Sequence, residues 1–137
     1  VTRELQRAIK AATQDLERVS PAGRALGGRV AAMAEAGERI IVAALGDRPM
    51  PREIRIRSSM CPTCACRPGT VPNGCAQTQM DLLKAASEGG SFACHSPLDG
   101  TLCRGWAAVR AFVVRHPLPR RMRRALQRHT YSPPDET

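Results

Sequence analysis

An α+β fold, mostly helical and built around a small metal-centred module with two short strands, is what this sequence predicts, on three observations. All six cysteines fall between Cys61 and Cys103, so a bound ion is placed to organise the middle of the chain. Apolar residues on either side of that stretch recur at three- and four-residue steps, the period of an amphipathic helix. Two short segments within 47–116 carry the two-residue alternation or apolar character of strands. The expected organisation is a helical hairpin over 1–46, a cysteine-rich metal-binding module over 47–116, a basic helix over 117–130 and a disordered tail over 131–137.

The 137 residues fit one compact domain with extensions. One Trp, one Tyr and two Phe are all the aromatics available, so the core is thin. A chain this short of large side chains gains from a crosslink or a metal.

In chain order, Leu5, Ile9, Ala12, Leu16 and Val19 make one stripe and predict a helix over 3–19. Ser20-Pro21 reads as a cap and the first position of a second helix. That helix runs to about Leu45 with Leu26, Val30, Met33, Ile40, Ile41 and Ala44 on its face, and Gly46 and Pro49 stop it. Gly23, Gly27, Gly28 and Gly37 weaken it and suggest a break near 27–28. The hairpin is expected to pack on the metal module or to pair with another chain. Ile54 and Ile56 alternate with Arg55 and Arg57 as a half-exposed strand leading into Cys61. Residues 68–74, rich in Pro and Gly, read as a loop, and a T-x-x-D start at Thr78 and Asp81 opens a helix that ends at Gly89-Gly90. Ser91–Cys94 is the second expected strand and Ser96–Gly100 a turn. A helix over 103–115 turns Trp106, Val109, Phe112 and Val113 inward, the HPLP run at 116–119 breaks it, and a basic helix follows to about His129.

The cysteines carry the chemistry. Cys61 and Cys64 form a C-x2-C step with Pro62 in the turn, which lets two thiolates meet one ion at the roughly 2.3 Å of a zinc–sulfur bond. Cys94 and His95 follow after a helix-sized gap, and Cys103 stands where a helix begins, a position that favours a thiolate. The expected ligands are Cys61, Cys64, Cys94 and Cys103, with His95 as substitute ligand or supporting partner, since neighbours on a strand face opposite ways. The expected metal is Zn2+; four cysteines also suit a [4Fe-4S] or [2Fe-2S] cluster. Cys66 and Cys75 are surplus and read as small buried residues, Cys75 alternatively as an activated thiol ahead of a helix. Reduced thiols in this pattern favour metal or redox chemistry over a disulfide framework.

Charge is placed unevenly. The formal net charge is +9, and the span from Arg104 to Thr130 holds eight of the 21 basic residues and no acidic one. Around the seam of Leu118, Met122, Ala125 and Leu126 stand Arg120, Arg121, Arg123, Arg124 and Arg128, which suit the phosphates of DNA or RNA, or an acidic protein partner. No run of 18 apolar residues and no apolar leader is present in the sequence, which points to a cytoplasmic protein with no membrane segment.

The run Cys61-Pro62-Thr63-Cys64 with Arg67, then Phe92-Ala93-Cys94-His95, then Cys103-Arg104-Gly105-Trp106 resembles a family of small uncharacterised cysteine-rich bacterial and phage-borne proteins. Those proteins share C-P-x-C-x-x-R, F-x-C-H and C-x-G-[WF] steps, and the resemblance covers about residues 58–112. Members usually carry an aromatic residue where Cys66 stands. The resemblance implies a metal-binding module and no established activity. A looser architectural likeness is to WhiB-like iron–sulfur regulators, in which a four-cysteine cluster precedes a basic segment; their central cysteine spacing and glycine-rich turn are not reproduced here.

Catalysis finds little support. The chain has no nucleophile elbow, phosphate loop, H-E-x-x-H or deaminase H-x-E step. The leading expectation is a metal-stabilised accessory or regulatory binding protein. The alternatives are an iron–sulfur or thiol redox protein, and a phage or mobile-element protein that binds a host protein.

Overall fold

A computed structural model describes residues 2–14, 19–46, 48, 56, 59–89 and 103–130. Among them are five helices: α1 (Thr2–Ala12), α2 (Pro21–Leu45), α3 (Ala76–Glu88), α4 (Arg104–Arg115) and α5 (Arg120–Gln127), with a 3-10 turn at Pro72–Gly74 ahead of α3.

Helix α2 is the axis of the fold, packing most extensively on α4 and also touching α1, α3 and the 3-10 turn. Its start is well defined: the Ser20 side chain accepts a hydrogen bond from the Gly23 amide at 2.9 Å, and Pro21 occupies a first-turn position that needs no amide donor. Gly46, at φ 59°, ends it.

No break occurs at 27–28. Glycine there serves close approach instead: a Cβ on Gly27 would lie 1.9 Å from the Asn73 carbonyl oxygen, and one on Gly37 1.6 Å from that of Ala108. The bare backbone of α2 therefore seats the 3-10 turn at one point and α4 at another.

One core cluster draws on all five helices, with Leu5 and Ile9 from α1, Leu26 and Val30 from α2, Leu82 and Leu83 from α3, Val109 and Val113 from α4, and Met122 and Leu126 from α5. The last pair matters for the basic segment. Eight residues are too few for a stable isolated helix, but burying each such side chain stabilises by about 1.5–3 kcal/mol. Met122 and Leu126 are 2% and 0% exposed, so α5 is docked on the body rather than being a free arm. Between α2 and α4, the buried Arg104 guanidinium meets Glu38 through two hydrogen bonds, at 2.9 and 2.5 Å.

The α+β assignment is corrected. Among the described residues there is no strand, and the architecture is all-helical. Of the expected strand at 54–57, only Ile56 is described, as an isolated bridge position. The first helix ends at Ala12, short of the expected 19, with Thr13 and Gln14 in a turn. Residues 15–18, the second expected strand at 91–94, the 96–100 turn and the 131–137 tail lie outside the described residues. The physical reason for the correction lies in the cysteine loop. Its backbone groups make turn and side-chain hydrogen bonds rather than a sheet ladder, and Cys64, Ala65 and Cys66 join the helical core directly. Helix α3 also begins earlier than Thr78, at Ala76 with Cys75 as its cap residue, so the T-x-x-D pattern lies inside the helix. No helix among the described residues is long and apolar enough to cross a membrane.

Two glycine substitutions test the close-approach argument. Gly37→Ala is expected to destabilise by at least about 2 kcal/mol, because the obstruction is backbone that cannot swing aside. Gly28→Ala meets nothing within 4 Å and is expected to stabilise by up to about 1 kcal/mol. Chemical denaturation of both variants decides; equal midpoints would show that α2 and α4 separate without cost.

Candidate metal centre and basic face

The cysteine turn is held by its own backbone first. The Cys64 amide donates to the Cys61 carbonyl at 3.1 Å and the Arg67 amide to the Cys64 carbonyl at 3.0 Å, so Cys61–Arg67 is two consecutive turns. Arg67 then closes it from outside: Nε donates to the Cys61 carbonyl at 3.0 Å and Nη2 to the Met60 carbonyl at 2.8 Å. The arginine of the C-P-x-C-x-x-R step thus ties the turn together. Thr70 Oγ1 lies 2.9 Å from the Cys64 carbonyl oxygen, to which it donates.

From inside, the Ala65 carbonyl is the anchor. Asn73 Nδ2 donates to it at 2.8 Å and Gln79 Nε2 at 2.9 Å. Asn73 also donates to the Gly27 carbonyl at 3.0 Å, tying the loop to α2. Because Ala65 stands between Cys64 and Cys66, this clamp sets where both thiols lie.

Cys64 Sγ lies 3.8 Å from Cys103 Sγ at the head of α4 and accepts from the Cys66 amide at 3.4 Å. Cys64, Cys66 and Cys103 are buried and Cys61 is half-buried. All five described cysteines are free thiols. Gly105 makes room for the cluster: a Cβ there would stand 2.7 Å from Cys64 Sγ and 2.9 Å from Cys66 Sγ. Next to these thiols, Arg104 is already neutralised by Glu38, which removes it from the free basic charge.

The Cys64 thiol is pushed up to about 12; its hydrogen bond with Cys103 lowers it, but the bond with Cys66 and burial outweigh that. Cys103 is raised too, by its bond with Cys64 and then by burial, while the Trp106 and Gly105 backbone pulls the other way. The apolar pocket therefore keeps these sulfurs protonated, and a cation would be what draws the protons off.

Of the expected ligands, Cys64 and Cys103 are brought into contact. Cys61 comes from the same turn, with its sulfur 4.0 Å from Thr63 Oγ1. Cys94 and His95 lie outside the described residues. Among the described residues, no group of three or more His, Cys, Asp or Glu side chains is arranged to hold a metal ion. The donor chemistry nevertheless fits in part: with zinc–sulfur bonds of about 2.3 Å, two thiolates of one tetrahedral ion stand ~3.8 Å apart. Ligand spacing alone gives Cys66 and Gly105 no role at this site. The C-x-C spacing of Cys64 and Cys66 and the C-x-G step after Cys103 are the signals in the sequence that point to them.

The basic face is the outer side of α5. Arg120, Arg121, Arg123, Arg124 and Arg128 are all exposed, and none makes an ion pair among the described residues. Leu118, Met122 and Leu126 are buried beneath them. No family model, curated protein or solved structure matches the chain.

Gly105→Ala is expected to force Cys64 and Cys66 apart from α4, costing about 1–3 kcal/mol of stability. The same variant should react faster with a thiol-alkylating reagent at both cysteines. Labelling at the wild-type rate would mean the sulfurs have space the packing does not indicate.

Proposed function

We propose that this chain is a small metal-stabilised binding protein whose basic helix contacts nucleic acid. The observation that carries the metal half is the contact between Cys64 and Cys103. Two thiols 39 residues apart in sequence meet at 3.8 Å, the ligand-to-ligand spacing of a thiolate-bound zinc ion. Cys61, Cys64 and Cys103 would hold the ion, with Cys94 or His95 completing a tetrahedral set. The Cys66 amide supports the Cys64 sulfur, and the Cys66 thiol stands in reserve beside it. Such an ion would supply structural crosslinking between the turn and α4 rather than catalysis.

This reading is consistent with the resemblance to cysteine-rich bacterial and phage-borne proteins. The same thiols suit an iron–sulfur cluster, and element analysis separates the two. Protein purified without oxygen is expected to be colourless and to contain about one zinc per chain. A brown protein containing iron and acid-labile sulfide would replace zinc with a cluster. A metal-free protein with an unaltered melting curve would overturn the metal reading altogether. Cys64→Ser and Cys103→Ser should each lose most bound metal and melt earlier, whereas Cys75→Ser should keep its metal.

The basic half rests on four exposed arginines on one docked helix and a fifth, Arg128, at its C-terminal cap, without carboxylate partners among the described residues. Affinity for DNA or RNA is expected to fall steeply with salt and to show weak sequence preference. Changing Arg120, Arg121, Arg123 and Arg124 together to Gln should flatten the plot of log affinity against log salt. On duplex DNA the slope should change by about 0.9 for every phosphate that is no longer neutralised. Metal content should not change. A wild-type chain that retains neither DNA nor RNA at low salt would transfer the arginines to an acidic protein partner.

A further inference from the structure

The contact between Cys64 and Cys103 has a second chemistry open to it. Their sulfurs meet at 3.8 Å across 39 residues of chain, one on the cysteine turn and the other immediately ahead of α4. Both are free thiols. A disulfide bond is about 2.05 Å long, so a shift of about 0.9 Å by each sulfur closes the gap. Packing holds the pair in this register. The Cys66 amide donates to Cys64 Sγ at 3.4 Å. The missing Cβ of Gly105 lets α4 approach the Cys64 and Cys66 sulfurs directly.

We propose that Cys64 and Cys103 form a reversible disulfide on exposure to hydrogen peroxide, giving the chain a second, crosslinked form that cannot hold an ion between those sulfurs. The peroxide is the oxidant and takes up two electrons. One sulfur attacks it, so an S–O bond forms and the O–O bond breaks. The leaving oxygen departs as water with that thiol's proton. The second thiol attacks the oxidised sulfur, the S–S bond forms, the S–O bond breaks and a second water leaves. Two thiols and one peroxide thus become one disulfide and two waters.

Cys64 and Cys103 are 0% and 7% exposed, so the first attack waits on local opening of the turn. The crosslink therefore forms slowly, and the contact in the closed state decides which thiol meets the oxidised sulfur. The bond rests on that contact alone, whereas its consequence rests on the metal reading. Thiolates bind metal and a disulfide offers none, so the ion would leave as the bond forms. Ion and crosslink join the same two elements, and each replaces the other.

The test is treatment of the full chain with hydrogen peroxide, with and without prior removal of metal by a chelator. Remaining thiols are alkylated under denaturing conditions, and the disulfide is mapped by fragmentation mass spectrometry. Before alkylation the treated chain is expected to be lighter by two hydrogen atoms and to regain them with dithiothreitol. Its bond should join Cys64 to Cys103. Cys64→Ser and Cys103→Ser should each lose that bond and Cys75→Ser should keep it; the wild-type map decides even where a serine variant fails to fold. In a chain loaded with zinc, the crosslinked fraction and the zinc still bound should sum to about one per chain. The crosslinked metal-free chain should melt about 10 °C above the reduced metal-free one. Prolonged treatment that leaves both sulfurs alkylatable, adds oxygen to them without joining them, or joins other cysteines overturns the disulfide and leaves the metal reading standing. Undiminished zinc in a fully crosslinked chain overturns the exclusion of the ion. A bond between Cys64 and Cys103 in a chain that takes up no metal supports the disulfide and removes the metal reading.

Discussion

The Ala65 carbonyl is the point on which the non-helical part of this fold depends. A loop that enters a helical body carries backbone donors and acceptors away from water, and each left unpaired costs about 1–3 kcal/mol. Here two side-chain amides, from Asn73 and Gln79, converge on that one oxygen. Asn73 and Gln79 are themselves buried, at 4% and 0% exposure, so the clamp is internal and shielded. Remove it and the peptide between Cys64 and Cys66 loses its anchor to α2 and α3. The thiol geometry thus follows from a polar network in which cysteine takes no part.

That dependence explains which features are legible in the sequence and which are not. Local signals with one physical meaning read correctly: Ser20-Pro21 as a helix start, Gly46 as its end, and the narrow seam of α5 with arginine around it. Signals with two meanings mislead. A glycine inside a helix either weakens it or lets a neighbour approach, and only the partner decides; Gly27 and Gly37 have backbone partners from residues 73 and 108. Alternation at 54–57 predicts a strand, and of that stretch only Ile56 is described, as an isolated bridge position rather than part of a ladder. Asn73 and Gln79 look like loop and helix-surface residues because their long-range acceptor is invisible to spacing arguments. Cys66 is surplus when ligands are counted, four being enough, whereas burial and the Gly105 notch place it beside Cys64.

Charge is legible in total but not in allocation. Arg104 belongs to the basic block by position, yet Glu38 from α2 neutralises it in a partly buried pair. Such a pair is weak evidence for net stability, since desolvation offsets much of the attraction. Its directional value is clearer: two parallel hydrogen bonds orient the first turn of α4, and Cys103 stands immediately before that turn. Arg67 is instead exposed and keeps its charge, while its donors hold the Cys61 and Met60 carbonyls. The arginines of α5 remain exposed and make no ion pair among the described residues.

Helix α3 links the two ends of the molecule through adjacent side chains. Gln79 reaches the cysteine turn, Met80 lines the groove between α1 and α5, and Lys84 donates to the carbonyls of Gln127, at the end of α5, and His129. Residues 79 and 80 point to different sides of one rigid helix, so a displacement of the turn that moved α3 would reach the groove floor within a single residue. Coupling of that kind needs an element with two discrete positions, whereas Leu82, Leu83 and Ala86 of α3 are fully buried in the core. The packing therefore favours a stiff spacer. On that reasoning the proposed ion sets the stability of the whole chain, while the arginines keep their own affinity whenever the body is folded.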